Sequence, residues 1–213
     1  MRRQSAKLPR GRNSDVTRRK LVGAAIEILR REGLNAATTG YIARSAGLEQ
    51  ATFDMHFRGR DEILEAAATE IARRMTERLE SHLDRFDSSD LAGSLRNTYQ
   101  AEISGFLAEP ELTRLFLRHR VDDGSPLGRV FSRHLASARE LLAWRLSKFS
   151  AIVGDESVRL YVEMRQATMF GVIEALVENR LRDHDASVRD LIATATAECR
   201  WLCEQAAASA RAR

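Results

Sequence analysis

Apolar residues recur at helical spacing along almost the whole chain. Leu21, Ala24, Ala25, Ile28 and Leu29 stand at i, i+3, i+4, i+7 and i+8, one stripe on a helix over residues 16–31. Ser14 or Asp15 caps its start, Gly33 ends it, and Leu34 tucks back toward the core. In residues 38–60, TTGYIARSAGLEQATFDMHFRGR, the stripe shortens. Ile42 and Ala43 face inward on a first short helix, and Gly47 takes the turn, where a left-handed backbone suits glycine. Leu48, Phe53 and Phe57 hold a second short helix across the first. Two short helices joined by a glycine turn make a helix-turn-helix.

A long helix follows over residues 59–86, with Ile63, Leu64, Ala67, Ile71, Met75 and Leu79 inward. At 1.5 Å per residue it spans about 40 Å, enough to bridge two units. Ser88, Ser89 and Asp90 break the chain before a helix carrying Leu91, Leu95, Tyr99, Ile103, Phe106 and Leu107. Pro110 opens a short helix with Leu112, Leu115 and Phe116. After the 122–125 loop, Pro126 opens a helix to about Phe149, burying Leu127, Val130, Phe131, Leu135, Leu141, Leu142 and Leu146. Residues 157–181 are apolar on more than one face, through Tyr161, Val162, Met164, Met169, Phe170, Val172, Ile173, Leu176 and Val177, so the helix must be covered on both sides. Val188, Leu191, Ile192, Ala195, Cys199, Leu202, Cys203 and Ala206 then repeat as a narrow seam of mostly small residues. These last two helices predict a dimer interface built from Val172, Ile173, Leu176, Leu191, Ile192, Ala195, Cys199, Leu202 and Cys203; the alternative is that both close one monomeric core.

Composition agrees with an all-α chain. Three prolines in 213 residues and abundant Ala, Leu, Arg and Glu favour helices, and 44% hydrophobic with 30% charged residues excludes wholesale disorder. No apolar run reaches the roughly 18 residues of a membrane span. Two cysteines and a basic start without an apolar signal core predict a cytoplasmic protein. The charge is uneven: +4 for the whole chain and +7 within residues 1–20 leave −3 for the rest. A cationic tail beside a helix-turn-helix suits a phosphate backbone or a minor groove, against the plainer reading of a solubilising tail. The expected organisation is a flexible basic arm over residues 1–15, a helix-turn-helix unit over 16–60 and a larger helical unit over 61–213.

Residues 17–75 resemble the DNA-binding domain of the tetracycline-repressor-like (TetR) family of bacterial regulators. The resemblance rests on TRRKLVGAAIEILRREGLNAATTGYIARSAGLEQATF and HFRGRDEILEAAA. Ala24, Ala25, Gly33, Thr38, Ile42, Ala43, Ala46, Gly47, Thr52, Phe57 and the run 61–64 fall at the family's spacings. The resemblance implies nine helices: three for DNA, a fourth as connector, and a last pair forming a four-helix bundle in a homodimer.

It also implies DNA contacts. Thr38 and Thr39 would meet a phosphate at a helix start, with Tyr41 and Arg44 on the same face. Gln50 and Ala51 would read base edges, glutamine pairing bidentately with adenine and alanine touching a thymine methyl. Thr52, His56 and Arg60 would hold phosphates. Two positions depart from the family: Asp54 stands where a tyrosine is common, and Glu49 where a small capping residue is. Asp54 is expected to pair with Arg58 and turn from the DNA, while Glu49 either accepts from a cytosine amino group or favours the helix N-terminus. Both also read as charges on a solvated edge. Deleting residues 1–15 is expected to weaken operator affinity and flatten its salt dependence.

Catalytic signatures are absent from the sequence. There is no GxGxxG, P-loop, GxSxG or HExxH, and none of the five histidines follows a Glu by three residues as a di-iron bundle requires. No catalytic residue, metal ligand or cofactor is expected. Cys199 and Cys203 read as small core residues, with redox sensing as the sharper alternative. Phe106, Phe116, Phe131, His134, Trp144, Tyr161, Met164, Arg165 and Phe170 are candidates to line an apolar pocket, with Arg165 and His134 as polar anchors. The sequence thus points to a cytoplasmic homodimeric regulator, a repressor whose partners are a palindromic DNA operator and a small apolar or amphipathic ligand that releases it. The rivals are a ligand-independent DNA-binding dimer and a bundle enzyme with an incidental helix-turn-helix.

Overall fold

The computed structural model describes residues 10–85, 87, 91–147 and 155–178, together with Ala186, Arg189, Asp190, Ala193, Thr194 and Ala197. The described residues form eight α-helices and no strand: α1 (Arg10–Arg31), α2 (Thr39–Ser45), α3 (Gln50–His56), α4 (Arg60–Leu83), α5 (Leu91–Leu107), α6 (Pro110–His119), α7 (Pro126–Leu146) and α8 (Asp155–Val177). A short 3-10 turn, Leu34–Ala36, joins α1 to α2. None of these helices is long and apolar enough to cross a membrane.

Helix α1 begins at Arg10, six residues before the expected start, so residues 10–15 of the expected arm are helical. Ser14 and Asp15 lie inside the helix rather than capping it, because extending a formed helix needs no new nucleus. Its buried stripe is Leu21, Ala25, Ile28 and Leu29 as the periodicity predicts, widened by Ile26. Helix α4 runs 24 residues and packs against α1, α5 and α7, which makes it the spine common to both halves. One hydrophobic core runs without interruption from Leu21 on α1, past Phe53 and Ile63, to Phe131 on α7 and Ile173 on α8. A smaller cluster of Leu79, Leu83, Leu142, Leu146, Val158, Tyr161 and Val162 closes the far end of α4.

Four phenylalanines knit α5 to α8. Phe116 and Phe131 meet edge-on at 5.1 Å, and Phe106 meets Phe170 edge-on at 5.7 Å. The loop after α6 lies close on α7 at Gly128, where a Cβ would stand 1.7 Å from the Asp122 carbonyl oxygen. Only glycine fits there.

Three expectations for the larger unit change. Trp144 is 66% exposed and Met164 is 47% exposed, so neither lines a pocket. Ile173 and Leu176 are buried in the chain's own core and Val172 is half-buried against it, so they do not present the dimer face expected of them. The register of α8 explains this. Its outward positions are Leu160, Met164, Ala167 and Gly171, spaced by four, three and four, so the apolar residues one step round the helix point inward. Leu191, Ile192, Ala195, Cys199, Leu202 and Cys203, the rest of the expected interface and its cysteine pair, lie outside the described residues, as does the ninth helix.

Candidate nucleic-acid interface and interior cavity

The helix-turn-helix is built as the sequence predicts. Thr38 caps α2, its Oγ1 accepting from the Tyr41 backbone N–H at 3.3 Å. Gly47 turns the chain at φ 65°, and Leu48 N–H returns to the Ala43 carbonyl at 2.9 Å. Ile42, Ala43, Phe53 and Phe57 are buried, and the two phenylalanine rings tilt together at 5.6 Å.

Two arginines fix the angle of this unit. Arg18 of α1 stacks its guanidinium 4.1 Å from the Phe57 ring centroid and donates Nη1 to the His56 carbonyl at 2.8 Å, holding the end of α3. Glu62 lies 3.9 Å from the same guanidinium and accepts from the Arg58 backbone N–H at 2.8 Å, closing the entry to α4. Arg18 is one of the cations of residues 1–20, and its place opposite Phe57 is a tertiary fact without a local signal. Arg60, expected on a phosphate, instead turns into the fold. Its Nε donates to the Ala37 carbonyl at 2.9 Å and Nη2 to the Leu34 carbonyl at 2.6 Å. The Leu34 carbonyl also accepts the Ala37 N–H of the 3-10 turn at 3.2 Å, and the guanidinium fork gives it a second donor while reaching the Ala37 carbonyl as well.

The outward surface carries Arg44, Glu49, Gln50, Ala51, Asp54, Met55 and Arg58, all exposed, with Thr39, Tyr41, Thr52 and His56 half-buried. Asp54 does not pair with Arg58 as expected. Its Oδ1 accepts from Gln50 Nε2 at 2.9 Å, one turn back along α3. Tyr41 is also engaged: its hydroxyl donates to Glu32 Oε1 at 2.7 Å. That bond, and then the carboxylate charge, raise the phenol above its ordinary pKa. Met55, 76% exposed, was missed by the sequence reading. Its signal was available, since it lies next to Asp54 on a short helix whose core positions Phe53 and Phe57 already fill.

Away from this surface, a cavity of about 60 Å³ lies among α4, α5, α7 and α8. It collects Phe106, His134, Arg165 and Phe170 of the expected pocket residues, with Met75, Leu79, Leu135, Leu142, Val162 and Met169. Phe116 and Phe131 stand behind it in the core and Tyr161 in the smaller cluster. Arg165 is 3% exposed, and its Nη2 donates to Glu102 Oε2 at 2.7 Å beneath the Tyr99 ring, whose centroid is 4.3 Å from Cζ. Burial opposes the charge on Arg165, but Glu102, together with Tyr99 and Tyr161, more than offsets it and holds the guanidinium protonated. Glu102 was missed, although it stands three residues after Tyr99 and four before Phe106, on the inward face of α5. His134 Nδ1 lies 3.1 Å from Thr76 Oγ1, and burial pushes its pKa down, favouring the neutral ring. Among the described residues no three His, Cys, Asp or Glu side chains gather as a metal site would require.

Residues 21–67 match the model of the bacterial regulatory proteins of the tetR family. The HTH-type transcriptional regulator BetI 1 of Chromohalobacter salexigens is 31% identical over 124 residues, covering 51% of this chain and 60% of that protein. BetI of Vibrio campbellii is 23% identical over 110 residues, covering 52% and 55%. The chain thus spans little more than half the length of these curated relatives. Among solved structures, a TetR family transcription regulator from Marinobacter aquaeolei superposes with a TM-score of 0.64 at 17% identity, covering 88% of this chain and 97% of that one. The fatty acid degradation regulator FadR of Bacillus halodurans gives 0.66 at 18%, covering 84% and 94%. The multidrug binding protein EbrR, complexed with imidazole, gives 0.59 at 19%, covering 82% and 92%. The all-helical fold is therefore shared well beyond residues 21–67, the segment that is similar to the bacterial regulatory proteins of the tetR family.

Proposed function

We propose that this protein is a sequence-specific DNA-binding transcriptional regulator, a repressor that a small apolar or amphipathic molecule releases from a palindromic operator. The observation that carries the reading is α3, a short helix braced from behind by Phe53, Phe57 and Arg18 while Gln50, Ala51 and Met55 stand clear of the surface. That is the arrangement a major groove requires, with base-reading side chains on a rigid support. Arg44 and Arg58, exposed, and the N-terminal cations supply the attraction to phosphate, with Thr38, Thr39, Thr52 and His56 close to the backbone. Met55 adds an apolar group for a thymine methyl.

Two copies are needed to read two half-sites about 34–36 Å apart. In this reading the contact between copies uses the outward face of α8, where Leu160 and Met164 are exposed. Helix α4 links the sites: its first residue clamps the turn before α2, and Met75 and Leu79, four and five turns on, wall the cavity. A ligand that prefers one position of α4 shifts the separation of the two reading helices, by differential affinity alone. The binding of drugs by EbrR makes the same kind of occupant reasonable here.

A second reading has a specific observation in its favour. The cavity, at about 60 Å³, is far below the roughly 300–1,000 Å³ of ordinary ligand sites. A ligand-independent dimer would need no larger one. Selecting bound fragments from genomic DNA tests DNA reading, and a thermal-shift screen separates the two forms of it, since a ligand stabilises by mass action.

A further inference from the structure

Arg139 of α7 is half-buried on the wall of the cavity among α4, α5, α7 and α8, yet it makes no hydrogen bond or ion pair with another described residue. Arg165 of α8 lines the same cavity and is 3% exposed. Glu102 takes its Nη2, but its Nε–H meets no acceptor among the described residues. Arg78 of α4 is a third guanidinium on the wall, its Nη1 donating to the neutral Gly105 carbonyl at 3.2 Å. Against these three cations the lining holds one carboxylate, Glu102, while burial favours neutral His134. The lining therefore carries an excess of positive charge. A half-buried cation without a partner and a buried N–H without an acceptor both cost stability, and one anionic group would relieve both.

We propose that the cavity binds a short amphiphile headed by a carboxylate, which accepts from Arg165 Nε and pairs with Arg139 while its hydrocarbon body lies along Phe106, Leu135, Met169 and Phe170. This rests on the reading that the larger unit takes a small molecule, and it narrows that molecule to monoanions. Two guanidinium groups in want of an acceptor match the two oxygens of a carboxylate. A neutral head would serve Arg165 Nε and leave Arg139 without a countercharge, and a cation would add to the positive excess. Arg78 is exposed, so water screens its charge and a second negative charge on the head is not called for. The cavity, at about 60 Å³, suits a short chain. A second cavity of about 30 Å³ shares Met75, Arg78 and Phe106 with the first, so rotation of the flexible Met75 side chain extends the room for the body.

Calorimetry on the purified full chain without DNA tests this with butanoate, hexanoate and octanoate, each against the methyl ketone of matching shape, and with hexylamine as the cation. The tightest alkanoate is expected to bind at least about tenfold more strongly than its matched ketone, as a charge-assisted hydrogen bond implies. Arg139→Gln removes one cation and breaks no bond to another described residue, so the variant is expected to fold. It should lose at least about tenfold in alkanoate affinity while binding the ketones as the wild type does. Should the variant not fold, the wild-type comparison decides. Ketone or amine binding as tight as the alkanoate, no binding of any probe, or unchanged alkanoate affinity in folded Arg139→Gln would overturn the proposal. Preference for the ketone or the amine sinks this inference and leaves the small-molecule reading standing. Because no DNA is present, a protein that takes the alkanoate but selects no operator sinks the regulatory reading instead.

Discussion

Gln50 Nε2 donates to Asp54 Oδ1 at 2.9 Å across one turn of α3. A bidentate pair with adenine needs both the oxygen and the nitrogen of the glutamine amide, so Asp54 competes with the base for the donor. The carboxylate at the same time weakens attraction to DNA. Asp54→Ala is expected to raise operator affinity by about fivefold, the equivalent of about 1 kcal/mol for one released hydrogen bond. Asp54→Asn keeps an acceptor for Gln50 but removes the charge, and should fall between the two. Fluorescence anisotropy at two salt concentrations measures both, and an Asp54→Ala variant with weaker binding would contradict this account of the pair.

Arg60 shows how a residue can be correctly singled out and wrongly employed. Its two bonds to the Ala37 and Leu34 carbonyls are charge-assisted and half-buried. Arg60→Met is expected to cost about 1.5–3 kcal/mol of stability, lowering the melting temperature by several degrees for a chain of this size. Arg60→Lys offers a single point donor for two carbonyls and should recover only part of the loss. Thermal unfolding of both variants provides the check.

The buried pair in the larger unit predicts a non-additive result. Arg165→Met alone leaves Glu102, 12% exposed, without its named ion-pair partner and is expected to cost on the order of 3–5 kcal/mol. Adding Glu102→Leu should restore most of it, because an apolar pair of similar volume replaces the ion pair. Chemical denaturation of the two variants gives the coupling directly. Equal losses in the single and double variants would mean that the pair is not held as described.

His134 gives the chain an acid limit. Burial lowers its folded-state pKa below the unfolded value of 6.5. The unfolded chain therefore binds a proton that the folded chain does not, in the window below 6.5 and above the depressed value. Stability from this residue is complete above pH 6.5 and is lost as pH falls through that window. His134→Leu should flatten the stability profile between pH 7.5 and pH 5, read as the urea midpoint at each pH.

Residues 1–9 hold Arg2, Arg3 and Lys7. If all three meet phosphate, their removal should reduce the slope of log affinity against log salt by up to about 2.7, at roughly 0.9 per phosphate neutralised. An unchanged slope on a deletion starting at Arg10 would remove this segment from the interface.

Leu160→Glu combined with Met164→Glu places charges on the outward face of α8 and is expected to shift the protein to a monomer in sedimentation. The same change on a side without contacts would leave the assembly intact.

The helix-turn-helix was legible because its constraints are local. A 3.6-residue period placed Ile42, Ala43, Phe53 and Phe57 in the core, and one glycine placed the turn. Helix identity in the larger unit was legible for the same reason. The direction of α8 was not: with apolar residues on several faces, sequence period does not select which of Met164 and Ile173 faces in, and packing against α5, α6 and α7 decides it. The places of Arg18, Arg60 and Glu102 were not legible for a related reason. Each meets a partner more than twenty residues away, and a charged side chain in sequence carries no mark of whether it will meet solvent, phosphate or a buried carbonyl.

The central claim is that α3 reads DNA. Selection of bound fragments from bacterial genomic DNA by the purified full chain, repeated with Gln50→Ala, tests it most directly. The expected result is enrichment of a two-fold symmetric site with half-sites one helical turn apart, and a changed base preference within each half-site for the variant. No enriched site, or the same site and the same preference with Gln50→Ala, would contradict it.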